Sequence, residues 1–150
     1  MSITNEQKRI LAEAQRILES QVCEEPAVTQ PDVVAKLLQV RFGLETQEVF
    51  GVVLLDQGNH VQQILQLDRG IENRCHIYMK KIARRILNTN ASGLIFFHNH
   101  PSGSLSFSPA DRDLHKKLKD VFTALEYRVL DHIIVSHKGA ASHETGRQVI

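Results

Sequence analysis

The sequence predicts a single α/β domain whose mixed β-sheet is flanked by helices. Three observations lead there. Apolar residues recur at helical spacing as far as Gly43, then alternate or run continuously from Val49 onward, as strands require. Two β-rich runs separated by Asp56-Gln57-Gly58-Asn59 read as a hairpin. Beyond the hairpin come a helix, a strand, a helix and further strands, an order that needs crossover connections. A sheet built from both a hairpin and crossovers is mixed.

Taken in order, residues 4–22 form an amphipathic helix. Thr4 with Gln7 makes a capping box, and Ile10, Leu11, Ala14, Ile17 and Leu18 share a face. The stretch Cys23 to Pro31 contains two prolines and breaks that helix, which sets residues 1–28 apart as an N-terminal helical extension and 29–150 as the main domain. Pro31 and Asp32 open a second helix carrying Val33, Val34, Leu37 and Leu38, stopped near Gly43. The hairpin spans Val49–Leu55 and His60–Leu67. A third helix is expected from about Cys75 to Leu87. Ile77, Ile82, Ala83, Ile86 and Leu87 lie on its buried side, opposite Lys80, Lys81, Arg84 and Arg85. Gly93 to His98 reads as a buried strand. Pro109 to about Glu126 reads as a helix burying Leu114, Leu118, Val121, Phe122 and Leu125. Strands at Val129–Val135 and near Ala140–His143 complete the pattern.

At 150 residues the chain is long enough to bury a core without disulfide or metal staples. Its net charge of +1 points to no nucleic-acid or membrane partner by itself. No apolar run approaches the length of a membrane-spanning helix, and the N-terminus lacks the apolar core of a signal peptide. Cys23 and Cys75 share no metal-binding spacing, so the expected compartment is the cytoplasm with both thiols reduced.

The chemistry concentrates in Phe97-His98-Asn99-His100-Pro101-Ser102-Gly103 and Ser108-Pro109-Ala110-Asp111. Two histidines at period two on a strand end point to one face. The next helix begins at Ser108 and delivers Asp111. Two imidazoles and a carboxylate supply three ligands for a divalent metal, the number a catalytic zinc site uses while leaving one position open. Ser108 and Asp111 also fit an ordinary capping box with proline at the first helical position. On this reading alone both roles stay open. A metal hydrolase further needs a carboxylate to shuttle a proton. Glu45, Glu48, Glu72 and the N-terminal glutamates are the candidates, and Glu48 stands at the start of the first strand.

The set Glu48, His98-x-His100, seven residues and Ser108-x-x-Asp111 resembles the JAMM signature of JAB/MPN metalloproteases. His98-Asn-His-Pro-Ser-Gly103 and Leu130-Asp-His-Ile-Ile-Val135 are similar to the RadC-like branch, over roughly residues 30–145. The resemblance implies a cytidine-deaminase-like JAB/MPN α/β fold and one Zn2+ per chain. It implies His98, His100 and Asp111 as zinc ligands, Glu48 as general acid/base and Ser108 as the donor that stabilises a developing oxyanion. The implied activity is hydrolysis of an amide, peptide or isopeptide bond in a peptide or protein substrate. Phe107 and Met79-Lys80 depart from residues common in that branch and are expected to shape the substrate groove. Asp131 and His132 fit two readings, support of the site from behind the ligands or capping of a strand entry; the second is preferred and they are left out of the catalytic set.

Two other functions compete. The family carries a DNA-repair association, and the basic face of the third helix could meet phosphates; alternatively the domain serves protein contacts without turnover. A deaminase is excluded, because its H-x-E and P-C-x-x-C motifs do not occur.

Overall fold

The computed structural model describes residues 2–70 and 78–150. Four helices and six strands follow in the order α1 (Asn5–Val22), α2 (Pro31–Phe42), β1 (Val49–Leu55), β2 (Val61–Arg69), α3 (Met79–Leu87), β3 (Gly93–Asn99), α4 (Pro109–Ala124), β4 (Arg128–Ser136), β5 (Gly139–Ser142) and β6 (Arg147–Gln148). A short 3₁₀ turn at Ala27–Thr29 precedes α2. One six-stranded sheet results, ordered β2-β1-β3-β4-β5-β6. Its β3–β4 pair is parallel, joined through α4, and the other neighbours are antiparallel. This is the mixed sheet the sequence pattern requires.

Side-chain alternation sorts the sheet into two faces. Val49, Val53, Leu55, Ile95, Phe97, Ile133 and Val135 pack with Val34, Leu37, Leu38 and Phe42 of α2 and with Val22 of α1. Phe50, Val52, Leu54, Leu94 and Phe96 face the other way, onto Ile82 and Ile86 of α3 and Leu114, Leu118 and Phe122 of α4. Both faces are therefore covered, which explains why β1 and β3 are buried at every residue and read as unbroken apolar runs. The edge strand β2 is mostly part-exposed.

The Thr4–Gln7 capping box forms, with Gln7 N–H donating to Thr4 Oγ1 at 3.1 Å. The predicted apolar face of α1 is only partly used, however: Ile10 and Ile17 are exposed while Leu18 packs on the core. Leu87 and Leu125, expected inside, are exposed; each lies at the last turn of its helix, where the chain leaves the sheet. The expected start of the third helix, with Cys75 and Ile77, lies outside the described residues, as does Glu72. Of the basic residues on α3, Arg85 is engaged in the fold, donating to the Gln66 carbonyl of β2 at 2.7 Å. No described helix is long and apolar enough to cross a membrane.

Candidate metal centre

The same alternation that builds the sheet sets up the site. Register pairs Phe50 of β1 with His98 and Val135 of β4 with Asn99. His98 thus shares the face of Phe96 and α4, and His100 follows just beyond the strand, its N–H donating to the Val135 carbonyl at 2.9 Å. Asn99 takes the opposite face. The α4 N-terminus then brings in Asp111, which is fully buried.

His98 Nε2 and His100 Nε2 lie 2.9 Å apart, Asp111 Oδ1 lies 3.4 Å from His98 Nε2, and Oδ2 lies 3.5 Å from His100 Nε2. A tetrahedral zinc with donors at about 2.0–2.1 Å holds them about 3.4 Å apart, so the triangle has the dimensions of such a face. The donor chemistry agrees. The Ser104 carbonyl, which can only accept, lies 2.9 Å from His100 Nδ1, so that nitrogen carries a proton and Nε2 is the ring atom that faces the cluster. Burial alone would raise the Asp111 pKa. Hydrogen bonds from the Nε2–H groups of His100 and His98, whose protons a bound metal would displace, outweigh it, with help from the Ser108 N–H, and hold the carboxyl far below its usual range. The carboxylate is ionised, as a metal ligand must be.

Ser108 caps α4: its Oγ accepts from Asp111 N–H at 3.1 Å, and its own N–H donates to Asp111 Oδ2 at 2.8 Å. The cap uses an oxygen lone pair and leaves the hydroxyl proton to donate. Capping and a role toward substrate are thus compatible in this one residue.

A cleft of about 590 Å³ opens beside these groups, lined by Glu48 and Gly70 together with His100, Ser104, Ser108 and Asp111. Among the glutamates proposed from sequence, Glu48 reaches this cleft, whereas Glu45 is paired with Arg69 at 2.9 Å. Glu48 is held by backbone clamps on three sides. Asn99 Oδ1 accepts from the Val49 N–H at 2.5 Å, Asn99 Nδ2 donates to the Gln47 carbonyl at 3.0 Å, and the Gly70 N–H donates to the Glu48 carbonyl at 2.7 Å. Asn99, the middle residue of His-Asn-His, thereby fixes the segment that carries Glu48 to the strand that carries the histidines.

Three placements correct the sequence reading. His132 is not at the start of a strand: it is fully buried within β4, its Nε2 2.7 Å from His98 Nδ1. Burial, and then the neighbouring His98, push its pKa well below the ordinary value, so the ring stays neutral and can accept from His98 Nδ1–H. That bond leaves His98 Nε2 as the ring atom that faces the cluster. Asp131 bonds the following hairpin, accepting from Ser142 Oγ and, at 3.1 Å, from the Glu144 N–H. Phe107 is absent from the cleft lining and packs edge-on against the rings of His132 and His143. Period two puts His132 and Ile134 on one face of β4, and the β3–β4 register makes it the face of His98. For Asn99 and Phe107 the sequence carries no comparable signal, because their partners come from distant segments.

Comparison with known proteins agrees with this architecture. A UPF0758 protein of Vibrio cholerae serotype O1 is 33% identical over 141 residues, covering 94% of this chain and 90% of the relative. A UPF0758 protein of Acidovorax sp. is 36% identical over 133 residues, covering 89% of this chain and 56% of the relative. The chain therefore spans nearly all of the first and about half the length of the second. The match to the RadC-like JAB domain covers residues 28–148, from the 3₁₀ turn ahead of α2 to the end of β6. The whole sheet and both elements that carry the candidate ligands lie inside it, and the chain belongs to the RadC-like JAB domain family.

Proposed function

We propose that this chain is a zinc-dependent hydrolase of amide bonds, acting on a peptide or isopeptide linkage. The observation that carries the proposal is the convergence of His98 Nε2, His100 Nε2 and the Asp111 carboxylate beside a cleft that His100, Asp111 and Glu48 line. The metal, when bound, supplies Lewis-acid polarisation of a carbonyl and activation of water near neutral pH. His98, His100 and Asp111 hold it. Glu48 takes the proton released as water attacks and returns it to the departing amine. The Ser108 hydroxyl donates to the oxygen on which charge develops.

The polar rim suits a backbone substrate. Ser102 Oγ accepts from Ser104 N–H at 3.3 Å and Ser104 Oγ accepts from Ser106 N–H at 3.2 Å, so each of these two hydroxyls keeps its proton for a carbonyl. All three serines line the cleft.

The test uses zinc-loaded protein incubated with a mixture of peptides, with new amine ends counted by labelling and mass spectrometry. Cleavage is expected to require zinc and to fall by about 10²–10⁴-fold in Glu48→Gln with the metal retained, the range general acid–base groups contribute. Protein that binds no zinc, or a Glu48→Gln variant as active as the parent, refutes the reading.

A further inference from the structure

A second group of metal-binding side chains lies on the far side of His132. His115 from the middle of α4, and His143 and Glu144 after β5, bring three potential ligand atoms within 4.8 Å of one another. The His115 and His143 rings stand 4.0 Å apart, centre to centre. His115 is 4% exposed. Its Nε2 lies 3.1 Å from Glu144 Oε1, while its Nδ1 is buried with no hydrogen-bond partner.

That orphan nitrogen has company. Among the described residues, the buried side-chain polar atoms without a partner are His115 Nδ1, His132 Nδ1 and His143 Nε2, all imidazole nitrogens of adjoining rings. Buried polar groups are nearly always paired, so three together mark an unmet demand. Two facing imidazoles do not satisfy one another when both are protonated. Burial, and then the charge His115 would carry, keep His143 below its ordinary pKa and hence in the neutral form that ligates metals. Glu144 is ionised, held low first by the Lys119 ammonium and also by His115, against the effect of burial. Lys119 Nζ lies 2.8 Å from Oε1, the atom His115 also meets, which leaves Oε2 to ligate. The outer shell is in place: Asp131 accepts from the Glu144 N–H, and the His143 N–H donates to the His132 carbonyl at 2.9 Å.

We propose that His115, His143 and Glu144 form a second site for a divalent transition metal, structural in role, tying α4 to the segment that follows β5. Two nitrogens and one oxygen suit zinc and its neighbours better than calcium or magnesium, which prefer all-oxygen shells. The site is separate from the first, because the His132 ring stands between them, 4.8 Å from His98 and 5.7 Å from His115 by ring centres.

The experiment is zinc stoichiometry of the full chain by equilibrium dialysis and elemental analysis, with thermal midpoints recorded in parallel. The parent is expected to bind two equivalents, Glu144→Gln one, His98→Ala/His100→Ala one, and the combined variant none. In the His98→Ala/His100→Ala background, added zinc should raise the thermal midpoint, and Glu144→Gln should remove that rise. Glu144 is partly exposed, so its replacement leaves the fold intact. A single equivalent lost in Glu144→Gln and kept in His98→Ala/His100→Ala would support this site and refute the first. A single equivalent with the opposite pattern overturns the second site. So do two equivalents that survive in both Glu144→Gln and His143→Ala.

Discussion

His132 shows how a buried side chain would govern the proposed metal site from behind one of its candidate ligands. Its Nε2 is the partner of His98 Nδ1 at 2.7 Å, and the ring is fully buried. In His132→Leu the His98 Nδ1–H loses its acceptor and the ring its fixed tautomer. Zinc affinity should drop by about 10–100-fold, read by competition with a chromophoric chelator; unchanged affinity would mean that His98 is oriented by packing alone. Asn99 acts on the segment that carries Glu48, the proposed proton carrier. Asn99→Ala releases both clamps that flank Glu48 while leaving the three metal donors untouched. The expected outcome is a loss of kcat of order 10²-fold at full zinc content, the scale attached to a misplaced catalytic group. The convergence of His98, His100 and Asp111 was legible in the sequence because it is local: a period-two pair and a helix start encode their own geometry. His132 and Asn99 were not read as site residues, because what they do depends on which strands become neighbours.

Among the elements, β1 is the most constrained. It is sandwiched between β2 and β3, and its pairing with β2 slips between Phe50 and Gly51. A Cβ at Gly51 would meet the Phe97 ring and stand 2.5 Å from the Leu65 carbonyl oxygen. Neither neighbour is a flexible tip, so Gly51→Ala should cost about 1–3 kcal/mol of stability, measured by urea unfolding. A neutral result would show that the β2 edge moves outward freely. The strands and helices themselves followed from periodicity, with β1 and β3 visible as apolar runs because helices cover both faces. Periodicity alone overestimated the burial of α1, where Ile10 and Ile17 remain exposed although they complete the apolar face. The two-residue β6 left no pattern to read, being shorter than any repeat.

For the whole molecule, the histidine cluster couples stability to pH. Burial holds both His132 and His143 below the ordinary imidazole pKa. As pH falls, the unfolded chain therefore takes up these protons before the folded one. Their contribution is complete above about pH 6.5 and is lost as the pH drops through that value toward the folded-state pKa. Metal-free protein should show a falling urea midpoint between about pH 7.5 and 5.5, and His143→Phe should flatten the slope. An identical slope in that variant would assign the whole effect to other groups.

The proposed donors of the first site, and the His132 ring behind them, stand at very different distances along the chain. His98 and His100 are two residues apart, Asp111 joins from the next helix, and His132 lies 34 residues beyond His98. An unfolded chain thus keeps the histidine pair as a ready two-toothed chelator, whereas the third tooth and its supporting ring exist only once α4 has crossed over and β4 has docked beside β3. A metal ion encountered early in synthesis can be captured loosely by the pair. It can be gripped only by the finished sheet, so tight retention of the ion reports that the crossover has closed.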